Sequence, residues 1–159
     1  MNITILCIGK LKEQYWAEAV LEYRKRLSKY CSLSIDELKE ARLSENASKA
    51  EEEAAKAEEG NTILKRIKKE DYVIALEITG KQYDSETLAG HINQLAVSGK
   101  SNLVFIIGGS IGLSKDVLSR ADEHLSFSAL TFPHQMMRVI FLEQIYRVFK
   151  IIRNEKYHK

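Results

Sequence analysis

Two apolar runs without alternation, residues 72–78 and 103–107, flank a segment, 85–97, whose apolar positions recur at helical spacing. Few folds accept that arrangement. Runs of this kind suit strands covered on both faces, and the strand, helix, strand order joins them as a parallel βαβ unit. The fold class that follows is α/β, a mostly parallel sheet flanked by helices. Such sheets take ligands beyond the carboxyl ends of their strands, which marks residues 78–84 and 108–113 as the functional loops.

The rest of the chain extends the pattern. Residues 2–8 alternate, are rich in β-branched side chains and close at Gly9 and Lys10, as a first strand does. Trp16, Val20, Tyr23, Leu27 and Tyr30 then recur every three or four residues opposite Arg24, Lys25 and Lys29, which predicts one amphipathic helix. Residues 32–38 read as a weaker strand or as irregular chain. Residues 44–67 are helical by propensity, with Gly60 and Asn61 as an interruption. A short helix over 114–121 and a last strand over 125–130 follow. Pro133, suited to a first helical position, opens a long helix ending near Asn154. With no repeat, linker or low-complexity tract, residues 1–159 read as one domain.

That last helix is apolar on too many sides. Met136, Met137, Val139, Ile140, Phe141, Leu142, Ile145, Tyr146, Val148, Phe149, Ile151 and Ile152 cover more of its circumference than one core-facing stripe needs. A second buried face is required, and another copy of the chain across a two-fold axis supplies it most simply; a fully internal helix in a monomer is the alternative.

Charge and cysteine narrow the function classes. A formal net charge of +2 does not by itself declare a nucleic-acid partner, but its distribution is uneven. Residues 36–59 hold nine acidic and four basic side chains, a net of −5, and residues 133–159 six basic and two acidic, a net of +4. The acidic run Glu51, Glu52, Glu53, Glu58 and Glu59 reads as a solvated helix face. Cys7 and Cys31 lack metal or redox spacing and read as buried thiols. No segment reaches the roughly twenty apolar residues that cross a bilayer, and no leader precedes residue 8. A cytoplasmic protein without a membrane partner is expected.

The sequence Gly108-Gly109-Ser110-Ile111-Gly112 sits between a strand and a helix, where backbone can approach a ligand closely. It is neither the dinucleotide fingerprint nor a phosphate-binding P-loop. It does satisfy G-x-S-x-G, the nucleophile elbow, so a small serine hydrolase using Ser110 is a rival, one that needs an acid and a histidine from later strand ends where a single short strand remains. His91, His124, His134 and His158 have no partner at metal-ligand spacing, and no metal site is expected. His91 reads as a surface or boundary residue. His134, at a helix start, suits a ligand-positioning, capping or supporting role. The tail Tyr157-His158-Lys159 combines an aromatic, an imidazole and a cation, the means by which proteins grip an unstacked base, although a frayed terminus has the same composition.

Ile107-Gly108-Gly109-Ser110, the run from Leu125 through Thr131-Phe132-Pro133-His134, Arg138 with Glu143-Gln144-Ile145-Tyr146-Arg147, and the Tyr157-His158-Lys159 end together resemble the ribosomal RNA large-subunit methyltransferase H family. The resemblance also takes in Ile5 to Leu11 and Leu76 to Lys81, essentially the whole chain. It implies a SPOUT-class fold with a C-terminal trefoil knot, which topology rules alone would exclude. It implies S-adenosylmethionine as cofactor, held by Leu76, Gly80, Gly108, Gly109, Gly112, Phe127, Ser128, Ala129, Leu130, Thr131 and Phe132. The implied substrate is N3 of a pseudouridine in 23S rRNA of the assembled ribosome, with no DNA partner. Tyr157 and His158, reaching across a homodimer, are the expected catalytic pair. His134, Arg138 and Arg147 are candidate RNA contacts, the two arginines equally suited to interface pairing. Ile111 departs from the polar residue expected in the glycine turn. A noncatalytic ribosome-binding protein is the alternative from another class.

Overall fold

The computed structural model describes residues 1–157. Five parallel strands form one sheet in the order β2-β1-β4-β3-β5, comprising β1 (Asn2–Ile8), β2 (Ser32–Leu38), β3 (Tyr72–Gln82), β4 (Asn102–Ile107) and β5 (Glu123–Ser126). The helices between them are α1 (Gln14–Leu27), α2 (Lys49–Leu64), α3 (Ser85–Val97), α4 (Lys115–Arg120) and α5 (His134–Ile152).

The pleat explains the unbroken apolar runs. Ile3, Ile5 and Cys7 of β1 with Leu103, Phe105 and Ile107 of β4 pack against buried residues of α1, α3 and α5. Leu6 and Ile8 with Val104 and Ile106 point the other way, toward Ile63 of α2 and Val117 of α4. Each fully buried side chain of this size contributes about 1.5–3 kcal/mol relative to exposure, so both faces demand apolar residues and alternation disappears. Cys7 belongs to this core, and burial pushes its thiol up to about 12. Cys31 is partly buried and free, its thiol raised by burial to about 11.

Several boundaries differ from expectation. Helix α2 runs uninterrupted through Gly60 and begins at Ser48, whose hydroxyl accepts from Glu51 N–H at 3.3 Å while the Glu51 carboxylate accepts from Ser48 N–H at 2.7 Å. Gly60 is a packing residue, since a Cβ there would lie 2.2 Å from Ser114 Oγ. Glu59 departs from the solvated acidic face and is buried. Strand β3 is longer than expected and shifts register between Leu76 and Lys81. Strand β5 is shorter and ends at Ser126, leaving 127–133 as loop, and Pro133 caps α5 from outside its first turn.

Helix α5 lies against α1 and α3. Arg138, Phe141, Leu142, Ile145, Val148 and Phe149 form its buried face. Met136, Val139, Ile140, Gln144 and Arg147 on other sides remain partly exposed in the single chain. Among the described residues no helix is long and apolar enough to cross a membrane.

Candidate ligand cavity and its surroundings

Because β4, β3 and β5 are parallel neighbours, their carboxyl ends open onto one place. Leu76 pairs with Ile107 on one side and Leu125 on the other, and these three residues end the regular ladder together. The segments that follow, from Glu77, Gly108 and Phe127, surround a cavity of about 790 Å³, closed by Leu113, Leu118 and the start of α5 at His134 and Met137. That volume is within the range of small-molecule sites.

The glycine turn is built from below. Gly112 N–H donates to Gly109 C=O at 3.2 Å, closing a β-turn with Ser110 and Ile111 at its centre, and Gly112 takes φ 79°, a conformation that favours glycine. A Cβ on Gly109 would lie 2.9 Å from Ile8 Cγ2, and one on Gly108 would lie 3.2 Å from the Gly112 carbonyl carbon. Those two glycines therefore let the turn pack on β1 and on itself, whereas a Cβ on Gly112 would meet open space. Among the described residues only Asn154 combines a side chain with positive φ, so Ser110 is not held in a strained elbow. Its hydroxyl donates to Glu40 Oε1 at 3.5 Å, and α4 begins only at Lys115. The hydrolase reading fails on this geometry, which has neither the strained nucleophile nor an imidazole bonded to it.

The 127–132 loop offers its backbone. Among the described residues no backbone–backbone hydrogen bond ties it to another segment. Ser128 Oγ accepts from Leu130 N–H at 3.0 Å, and Ser126 Oγ donates to Ser128 C=O at 3.2 Å, which shapes the loop from within. Its remaining amides and carbonyls stand beside an apolar cavity, where unpaired backbone groups call for a polar partner.

Of the residues expected at a cofactor, Leu76, Gly108, Gly109, Gly112, Phe127, Ser128, Leu130, Thr131 and Phe132 line the cavity. Gly80 and Ala129 do not. Gly80 lies where a Cβ would come within 2.7 Å of the His124 and Leu125 backbone, so it serves the β3–β5 approach, and Ala129 is exposed at the loop tip. Glu77, Thr79, Ile107, Leu113, Leu118, Leu125 and Met137 line it without having been singled out. Strand register would have indicated Ile107 and Leu125, as the partners of Leu76, and helical spacing Met137, one turn beyond His134.

Glu77 and His134 are the ionisable residues of the described lining, which contains no lysine or arginine. The Glu77 carboxylate pairs with His124 Nδ1, and His124 Nε2 donates to Leu118 C=O at 3.0 Å. Beneath the glycine turn, Glu59 accepts from Ala41 N–H at 2.9 Å through one oxygen while the other has no partner. Burial raises its carboxyl above the ordinary range, with Glu40 and Glu58 adding to the effect and the Ala41 bond opposing it. Among the described residues no cluster of histidine, cysteine and carboxylate could hold a metal ion.

The residues expected to meet RNA are dispersed. His134 lines the cavity. Arg138 is removed from the RNA candidates because it is only 3% exposed, and it donates to Glu37 Oε1 at 2.8 Å and to the Ile8 and Gly9 carbonyls at 2.9 and 2.8 Å. Arg147 donates to Glu143 Oε1 at 2.6 Å and lies over the Tyr157 ring at 4.9 Å. Tyr157 donates to the same Glu143 oxygen at 3.2 Å and packs edge-on against Tyr146, away from its own chain's cavity lining. Burial, with Glu143 reinforcing it, raises the Tyr157 hydroxyl above the ordinary phenol value. His158 falls outside the described residues.

Comparison with known proteins adds a family. A family model described as "Predicted SPOUT methyltransferase" matches residues 1–158. The chain is 56% identical to the ribosomal RNA large subunit methyltransferase H of Clostridium novyi and 54% identical to that of Clostridium beijerinckii, over the full length of both partners in each case. It is also 54% identical, again over full length, to a putative ribosomal RNA large subunit methyltransferase H of Methanococcus vannielii.

Proposed function

This chain belongs to the SPOUT methyltransferase family, and from that premise we propose that it is an S-adenosylmethionine-dependent enzyme methylating N3 of a pseudouridine in 23S rRNA of the assembled ribosome. The observation that carries the cofactor assignment is the cavity itself, where an apolar floor meets a loop of unclaimed backbone groups. That is the lining an amphipathic nucleoside needs, with apolar contacts for its base and amide and carbonyl partners for its polar edge. S-adenosylmethionine, when bound, supplies an electrophilic methyl group for in-line displacement. The chain's own task is alignment at near-attack distance, and no covalent nucleophile is required.

Dimerisation is part of the proposal. Partly exposed Met136, Val139 and Ile140 on α5 continue toward Leu130, 72% exposed, and Phe132, 36% exposed, at the cavity rim. A second copy covering this surface would bring its tail to the neighbour's cavity, in keeping with the position of Tyr157 away from its own. In that arrangement Tyr157, its hydroxyl raised above the usual phenol range, remains a neutral donor that orients the base, and an imidazole nitrogen of His158 takes the N3 proton. Arg147, beside Tyr157, is retained as the arginine near the substrate. The C-terminal trefoil knot and a cytoplasmic location, where ribosomes are met, belong to the same reading.

Calorimetric titration of S-adenosylmethionine into the purified protein tests the assignment, with binding at one site per chain expected. A folded protein that binds none refutes the enzyme and leaves a ribosome-binding protein.

A further inference from the structure

The lining has a charge asymmetry that the methyl-transfer scheme does not use. Glu77 is its single acidic side chain among the described residues, no lysine or arginine shares it, and the surrounding wall is mostly apolar. Charges in such a wall are felt more strongly than in water.

The placement of Glu77 is fixed by the fold. Regular pairing of β3 stops at Leu76 and resumes with β5 at Lys81, so Glu77 opens the irregular segment at the cavity edge. Its carboxylate pairs with His124 Nδ1 from β5, and His124 Nε2 is bonded to Leu118 C=O at 3.0 Å. With an acceptor at each ring nitrogen, the imidazole cannot turn without losing a bond. It therefore acts as a bracket between the α4 carbonyl and the carboxylate, whose side chain is 21% exposed.

We propose that Glu77, held by His124, makes the cavity distinguish the cationic sulfonium cofactor from its demethylated thioether product. This rests on the S-adenosylmethionine reading above. Transfer of the methyl group leaves the sulfur's bonding pair on sulfur, so the sulfonium becomes a neutral thioether and the ligand's net charge falls by one. The two ligands differ otherwise by one methyl group, which an open apolar cavity discriminates weakly. Glu77 supplies the difference, favouring the loaded cofactor and releasing the spent one. His124 is a positioning residue that acts through Glu77.

The experiment is calorimetry of the purified full-length protein with S-adenosylmethionine, S-adenosylhomocysteine and an analogue carrying an ammonium in place of the sulfonium. Glu77→Gln is expected to weaken the two cationic ligands about tenfold, the order of one partly screened charge contact, and to leave S-adenosylhomocysteine within about twofold. Unchanged binding of the neutral ligand doubles as the folding control. His124→Ala should shift the same ratio in the same direction, and His124→Asn, which keeps a donor near the Nδ1 position, should restore it. Equal weakening of all three ligands by Glu77→Gln, or an unchanged ratio, overturns the proposal. A wild-type protein that binds none of the three overturns the cofactor reading instead, so the two failures are distinguishable.

Discussion

Replacing Arg138 by methionine separates the two roles that its sequence context allows. In the fold the guanidinium answers the Ile8 and Gly9 carbonyls and Glu37, joining the start of α5 to the end of β1. Methionine fills the space of the stem but leaves the two carbonyls without that donor, at about 1–3 kcal/mol for each group left unsatisfied. The Glu37 side chain, 33% exposed, can turn toward water and adds less. A total of about 3 kcal/mol agrees with the lower end of the cost of breaking a buried ion pair. For a chain of this length it lowers Tm by about 6–12 °C. Thermal and urea unfolding measure this, with S-adenosylmethionine binding and ribosome methylation followed well below the melt. An unchanged Tm together with intact cofactor binding and abolished methylation would refute the structural role and return Arg138 to the RNA.

Three further outcomes follow from the same contacts. Gly60→Ala drives a methyl group to 2.2 Å from Ser114 Oγ and should cost about 1–3 kcal/mol in urea unfolding, whereas a mere helix interruption at Gly60 would make alanine stabilising. Glu59 has a raised folded-state pKa, so its contribution to stability is complete below the unfolded carboxylate range and is lost as pH rises through the folded value. Glu59→Gln should flatten that part of the stability profile and gain stability relative to wild type at the alkaline end; parallel profiles would contradict it. Deleting residues 157–159 should spare cofactor affinity and the dimer while removing methylation of ribosomes, and a loss of cofactor affinity would place the tail in the donor site.

The legible parts of the fold were those where local pattern and tertiary burial agree. Strands β1 and β2 and helix α3 have the bounds their sequences predict, because each changes residue pattern where its hydrogen bonding ends. Phe127 and Leu130 prolong the apolar pattern beyond β5 because they line a cavity, and hydropathy does not distinguish a cavity wall from a strand face. Gly60 resembles a helix breaker by propensity, yet its contact with Ser114 joins residues 54 apart in sequence and leaves no local signature. The two arginines of α5 are likewise alike in sequence. Glu37, on β2, claims Arg138, while Glu143, one helical turn away, claims Arg147. At the site, the loops were legible from strand ends and family resemblance, whereas the Glu77–His124 pair depends on a register shift that the sequence does not announce.

The central claim is methyl transfer to the large ribosomal subunit RNA, and the most direct measurement uses methyl-labelled S-adenosylmethionine with ribosomes from cells lacking this protein. Joined ribosomes and free subunits are compared, and the labelled RNA is digested to nucleosides. Label should appear in 23S rRNA of joined ribosomes, in a single nucleoside, N3-methylpseudouridine. Label confined to another nucleoside or to free subunits, or no label from a protein that binds the cofactor, would contradict the account.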